Sequence, residues 1–255
     1  VFRYIICFIT ILVFTSSIIA GTREESIPDN KYIEYGKKFN YIYKVCGTYK
    51  DGKLFCASAV IIDRHWIITA AHVVNNARFC VVHQDNNANI VNEIIIHKDF
   101  NIDKFGSTDL ALGYMEKPID LNFYPSLYEE NNEQGKICSI VGYGFTGNFK
   151  TGAIIGDDKK RAGTNMIQYI DRDLLICNAS QPNDKDSTGL EFLIASGDSG
   201  GGLFIDGKLA GINSGVMAAD RKADSSYGDE SIHSRISSNI GWIKDNIKLK
   251  KTQRE

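Results

Sequence analysis

No charge of either sign dominates this chain. Its 29 basic and 31 acidic residues leave a formal net charge of −2, so nothing electrostatic points to nucleic acid or an anionic membrane as partner. No tandem repeat or low-complexity tract is present. The six cysteines (Cys7, Cys46, Cys56, Cys80, Cys138 and Cys177) contain no CxxC pair, and the five histidines contain no HExxH, so no metal ligand set is legible and no cofactor is expected. Beyond the first residues, no run is long and apolar enough to span a bilayer.

What is there suits a folded, exported protein. Of the 255 residues, 43% are hydrophobic, ample for a real core. Arg3, the apolar run 4–14 and the small polar Thr15, Ser16 and Ser17 follow the order of an export signal, so residues 1–17 are expected to be removed. A retained membrane anchor is the alternative, since the run approaches spanning length. With the signal gone, no stable membrane insertion is expected, and the remaining chain is expected to be a monomer. Of the five cysteines after the signal at least one must lack an intrachain partner, while one or two disulfides suit an oxidising compartment. Asn178, Ala179 and Ser180 form a glycosylation acceptor pattern.

Short apolar runs bounded by turn residues predict an all-β chain. In the first part they fall at 40–47, 54–62, 65–69, 79–83, 90–97 and 110–115, with Asp51-Gly52 turning the first pair and a short helical turn at AAHVV. A second set falls at 136–144, 165–169, 174–177, 203–205, 209–214 and 231–236. Pro118 and Pro125 mark the connection between the two sets. Residues 22–38 read as a polar stretch with a turn at Pro28, Asp29 and Asn30, and 152–163 and 181–189 as surface loops. One convincing helix is expected, at 239–250, where Ile240, Ile243 and Ile247 recur at helical spacing.

Three segments carry chemistry: TAAHVV around His72, STDLALGYM around Asp109 and ASGDSGGGLF around Ser199. A serine hydroxyl is a poor nucleophile until a neighbouring base removes its proton, and imidazole has the pKa for that near neutrality. A buried aspartate fixes the imidazole tautomer and stabilises its protonated form. The glycines around Ser199 permit a sharp turn, close approach of substrate and amides aimed at a developing oxyanion.

TAAH, DLAL and GDSGG, in that order, resemble the trypsin/chymotrypsin-like serine peptidase family, and the likeness extends over 18–247 through FCASAVI, HWIITAAH, KICSIVGYG, GKLAGINSG and WIKDNI. The resemblance implies two packed six-stranded antiparallel β-barrels, here about 36–120 and 126–237, followed by the helix, in one peptidase domain at 18–255. It implies peptide-bond hydrolysis through an acyl-enzyme, acting on protein or peptide substrates. By motif, His72 matches the base, Asp109 its partner, Ser199 the nucleophile, Gly197 and Ser199 the oxyanion amides, and Ser214 the serine that contacts the aspartate.

The departures from the family pattern are Val73 and Ala195, where cysteines are common; Cys56 thereby loses its usual partner. The base of the primary pocket falls at Leu193, without the carboxylate that a Lys or Arg side chain would need. Val216 and Ser231 match the pocket walls, so a small or apolar side chain is expected there. The family's activation pairs a new N-terminal amine with the aspartate before the serine, here Asp198. Ile18, which opens the IVGG-like segment Ile18-Ile19-Ala20-Gly21, is the expected amine donor, exposed by export processing itself; a competing cut after Ala20 leaves maturation unexplained.

Overall fold

The computed structural model describes residues 21–84, 87–104, 108–218 and 220–252; the expected export signal, Cys7 and Ile18 lie outside them. Two seven-stranded antiparallel sheets account for most of the described chain. Across the first sheet the strands run Asn87–Ile90, Ala77–Gln84, Ile42–Tyr49, Leu54–Asp63, Trp66–Thr69, Ala111–Tyr114 and Glu93–Ile96. Across the second they run Arg161–Met166, Ile137–Gly142, Gly202–Ile205, Lys208–Ala218, Asp229–Arg235, Leu174–Asn178 and Tyr169–Asp171.

Seven strands stand in each sheet where six were expected, for one reason in both. The stretch expected as a strand at 90–97 breaks at Val91 and Asn92, and its pieces pair at opposite edges of the first sheet. In the second sheet, Ile167 and Gln168 separate the two edge strands in the same way. A smaller four-stranded sheet holds the start of the described chain: Thr22–Arg23 lies between Thr146–Asn148 and Phe192–Leu193. Its fourth strand, Gly152–Ile155, occupies part of the stretch read as a loop.

Most of these strands are short apolar runs buried nearly continuously, as suits strands covered on both faces. The strand Trp66–Thr69 is buried along its whole length because it is central in the first sheet and covered on both faces. The tight turn between Ile42–Tyr49 and Leu54–Asp63 uses Gly52 at φ +88°, a left-handed conformation that a side chain would strain. Phe39, Tyr41 and Phe204 meet at ring-centroid distances of 5.3–6.0 Å and carry one apolar core from the first half into the second. Burying each such ring contributes roughly 2–3 kcal/mol.

Helix α1, Asp29–Gly36, replaces the turn read at Pro28, Asp29 and Asn30. Proline is tolerated at the start of a helix, and the acidic Asp29 suits the first turn. Tyr32 is buried, and the Asp29 carboxylate takes two bonds of 2.7 Å from Arg161, itself only 1% exposed. Helix α2 is the single turn Ala71–Val74. Helix α3, Ile240–Thr252, begins after a 3₁₀ turn at Ser237–Asn239 and buries Ile243, as its periodicity predicts.

Cys46 and Cys56 form a disulfide. They sit directly opposite each other on adjacent strands, so Cys56, bereft of its family partner, finds one through strand register. Cys80, Cys138 and Cys177 are free and buried, the last two with sulfurs 3.9 Å apart.

Candidate active site

His72 lies in helix α2, immediately after the buried strand Trp66–Thr69, so a rigid element carries its ring. Asp109 lies just before the buried strand Ala111–Tyr114, which pairs with Trp66–Thr69. That pairing brings the two together: His72 Nδ1 is 2.6 Å from Asp109 Oδ2, and the His72 backbone N–H donates to Oδ1 at 2.8 Å. Ser214, on the strand Lys208–Ala218 of the other half, donates its hydroxyl to Oδ2 at 2.7 Å. Burial pushes the Asp109 carboxyl up, but the bonds from His72 and Ser214 outweigh it and hold the group below the usual carboxylate range. The imidazole is 31% exposed and the carboxylate 9%, so the first meets solvent while the second is shielded.

Ser199 is half-buried in a turn between Gly197 and Gly200. Gly200 has φ +81°, and a Cβ there would stand 2.0 Å from Thr69 Oγ1 and 2.2 Å from Ser58 O. Only glycine lets this turn press against the strand that leads to His72. The backbone carbonyls of the turn are all engaged. Gly197 O accepts from Ser58 Oγ, Asp198 O from Gly201 N and Asn213 Nδ2, and Ser199 O from Ser58 N. Among the described residues, the N–H groups of Gly197 and Ser199 have no acceptor. Both residues are half-buried, so these two N–H groups remain open to a partner from outside the chain.

Asp198, next to that serine, has no solvent exposure. Its carboxylate accepts from Gly144 N at 2.7 Å, and from Ala195 N and Gly21 N at 2.9 Å each. Burial pushes its pKa up to about 6 despite these three bonds. The nitrogen that reaches it from the start of the described chain belongs to Gly21, three residues after Ile18.

Leu193 is fully buried, and Ser231 is fully buried with its hydroxyl accepting from Ile194 N at 2.9 Å. Val216 and Ser231 are paired residues on adjacent strands. Glu230 points elsewhere, taking the Tyr169 hydroxyl at 2.7 Å on the surface. A cleft of about 260 Å³ opens beside His72, walled by Phe100, Leu174, Ser214, Gly215 and Ile232. Gly215 stands where the family commonly has tryptophan, and a Cβ there would meet nothing within 4 Å.

Sequence reasoning missed Ser58 and Gly21 as members of this site. Ser58 is one polar residue inside the apolar run FCASAVI, with no motif to single it out. Among the described residues, metal-ligand atoms gather only at Cys46, Cys56 and His83, where the two sulfurs are joined to each other.

His72, Asp109 and Ser214 form one hydrogen-bonded chain, and the glycine-flanked turn of Ser199 packs against the strand end that leads to His72, as in the chymotrypsin-like class. The family model for trypsin matches residues 37–243, and the chain belongs to that family of serine endopeptidases. It is 24% identical to submandibular glandular kallikrein-9 of Rattus norvegicus, over 77% of this chain and 82% of that one. It is 29% identical to a trypsin of Simulium vittatum, over 68% and 75% respectively. Among solved structures, HL collagenase superposes with a TM-score of 0.67 at 21% identity, covering 91% of this chain and 99% of that one. Neuropsin, a serine protease of mouse brain, superposes at 0.64 with 19% identity, covering 88% and 98%. No helix among the described residues is long and apolar enough to cross a membrane.

Proposed function

We propose that this endopeptidase cleaves after small or apolar side chains, with Ser199 as nucleophile, His72 as base and Asp109 as the group that orients it. With a proton on Nδ1 donated to Asp109, the Nε2 lone pair of His72 is free to take the Ser199 proton as Oγ attacks the substrate carbonyl. The carbonyl oxygen gains the negative charge, and the free amides of Gly197 and Ser199 receive it. His72 then passes its proton to the departing amine, leaving the acyl chain on Ser199. Water repeats the sequence and releases the acid. The observation that carries this reading is the Ser214–Asp109–His72 hydrogen-bond chain together with two unengaged amides beside the serine.

The preference for small or apolar side chains is read from Leu193, an apolar residue at the position that matches the pocket base, and from the pairing of Val216 with Ser231 at the positions that match its walls; Glu230 is engaged with Tyr169. The adjoining cleft over Leu174 and Ile232 suits a second apolar residue of an extended substrate. Joining the edge strands of each sheet through only two residues supports two closed six-stranded barrels as the frame.

Maturation reads best with the cut after Ala20. Cleavage there turns the Gly21 amide into an ammonium on the atom that already lies 2.9 Å from Asp198, giving the buried carboxylate its counter-charge. No separate propeptide is then required. N-terminal sequencing of the active enzyme tests this: Gly21 as first residue supports it, and Ile18 or any other start rejects it.

A serine-directed phosphonate tests the chemistry. It should label the enzyme and fail to label Ser199→Ala. A peptide panel varied only at the residue before the scissile bond should rank alanine and valine at least 10-fold above lysine and arginine; the reverse ranking defeats the pocket assignment and leaves the triad untouched.

A further inference from the structure

We infer that Ser58 is a positioning residue for the oxyanion site, a role that rests on the acyl-transfer reading above and extends it to a side chain of the first half. Ser58 lies on the strand Leu54–Asp63 and has no solvent exposure. All of its polar groups are used. Its N–H donates to Ser199 O at 2.9 Å, and its carbonyl accepts from Thr69 Oγ1 at 2.8 Å. Its hydroxyl donates to Gly197 O at 3.0 Å and accepts from Tyr143 N at 3.0 Å.

These bonds have a common target. The Ser199 amide that faces the oxyanion belongs to the peptide between Asp198 and Ser199. Ser58 grips the carbonyl before that peptide, on Gly197, and the carbonyl after it, on Ser199. Gly197 adopts φ +90° and has no side chain with which to hold an orientation, so its direction must be imposed from outside. The hydroxyl imposes it at the one residue whose own amide is the second oxyanion donor. Catalysis through such amides depends on their being aimed before charge develops. A turn with two glycine neighbours and one missing tether would spread over several orientations, only some of which present both N–H groups.

Alanine at position 58 keeps the backbone bond to Ser199 and removes only the hydroxyl. Ser58→Ala is therefore expected to lower kcat about 10- to 100-fold while KM stays within about 2-fold, a fraction of the 10²–10³ that loss of an oxyanion donor costs. Affinity for a peptide boronate, which mimics the tetrahedral state, should fall by the same factor as kcat. Substrate affinity measured in the inactive Ser199→Ala background should be unchanged by adding Ser58→Ala, which separates aiming from general disruption of the fold.

Equal kcat for wild type and Ser58→Ala would overturn the inference, as would a loss of substrate affinity in the Ser199→Ala background matching the loss of kcat. A wild-type enzyme that hydrolyses no peptide and takes no phosphonate label defeats the underlying reading itself, a result distinct from an active wild type that is indifferent to position 58.

Discussion

The backbone nitrogen of Gly21 lies 2.9 Å from a carboxylate oxygen of Asp198, 177 positions away and wholly removed from water. In a chain that continues back through Ala20, that nitrogen is a neutral amide, and burial drives the Asp198 pKa up to about 6. A raised folded-state pKa contributes stability below the unfolded value near 3.8 and loses it as pH rises through 6. The uncut chain should therefore lose about 2 kcal/mol of stability from this group between pH 4 and pH 7. Urea unfolding of uncut wild type and uncut Asp198→Asn across that range should differ by this slope; parallel curves reject it.

Cleavage before Gly21 should reverse the balance, because an ammonium favours the charged carboxylate. The mature enzyme should be less stable after Asp198→Asn at pH 7. It should also lose activity in alkali as the Gly21 amine, with an ordinary pKa of about 8, gives up its proton. Blocking that amine by acetylation should reproduce the alkaline loss at neutral pH.

Asp109→Asn should retain substrate binding and lower kcat by about 10³–10⁴, because an amide no longer selects the imidazole tautomer that leaves Nε2 free. Ser214→Ala removes one bond to the same carboxylate oxygen and should cost about 10-fold in kcat/KM. Steady-state kinetics normalised to titrated sites measures both.

On the proposed pocket assignment, Val216→Gly widens the primary pocket. Hydrolysis after phenylalanine should rise at least 10-fold relative to hydrolysis after alanine, while cleavage after lysine stays poor because Leu193 offers no counter-charge. Competition between paired peptides gives the ratio directly.

Replacing Cys46 and Cys56 by alanine should cost at most about 3 kcal/mol, the entropy of a short closed loop, and less where the Asp51-Gly52 turn already holds the hairpin. Cys56 stands two residues before Ser58 on the same face of one strand, so kcat should fall modestly as well. Thermal unfolding and kcat of the double variant check the two effects.

The segments around His72, Asp109 and Ser199 were legible because the chemistry needs those residue types and the glycines that let Ser199's turn approach Thr69. Short apolar runs bounded by turn residues likewise announced most of the strands. Helix α1 was hidden because Pro28, Asp29 and Asn30 read locally as a turn, and its stability comes from Arg161, more than 130 residues away. The partner of Cys56 depends on the pairing register that sets Cys46 opposite it, which composition does not reveal. Ser58 was invisible for a similar reason: its partners lie on a turn brought in from the other half.

The disulfide joins two strands of the first half, and His72 is held by Asp109 within that half, whereas other contacts of the reactive centre run from half to half: Asp109 to Ser214, and Ser58 to Gly197, Ser199 and Tyr143. Should the halves part by even a bond length, the Ser214 bond to Asp109 and the aim of the amides would fail at the same moment. Loss of activity on gentle denaturation should then precede loss of β structure in either half, and refolded halves should recover turnover only on meeting again.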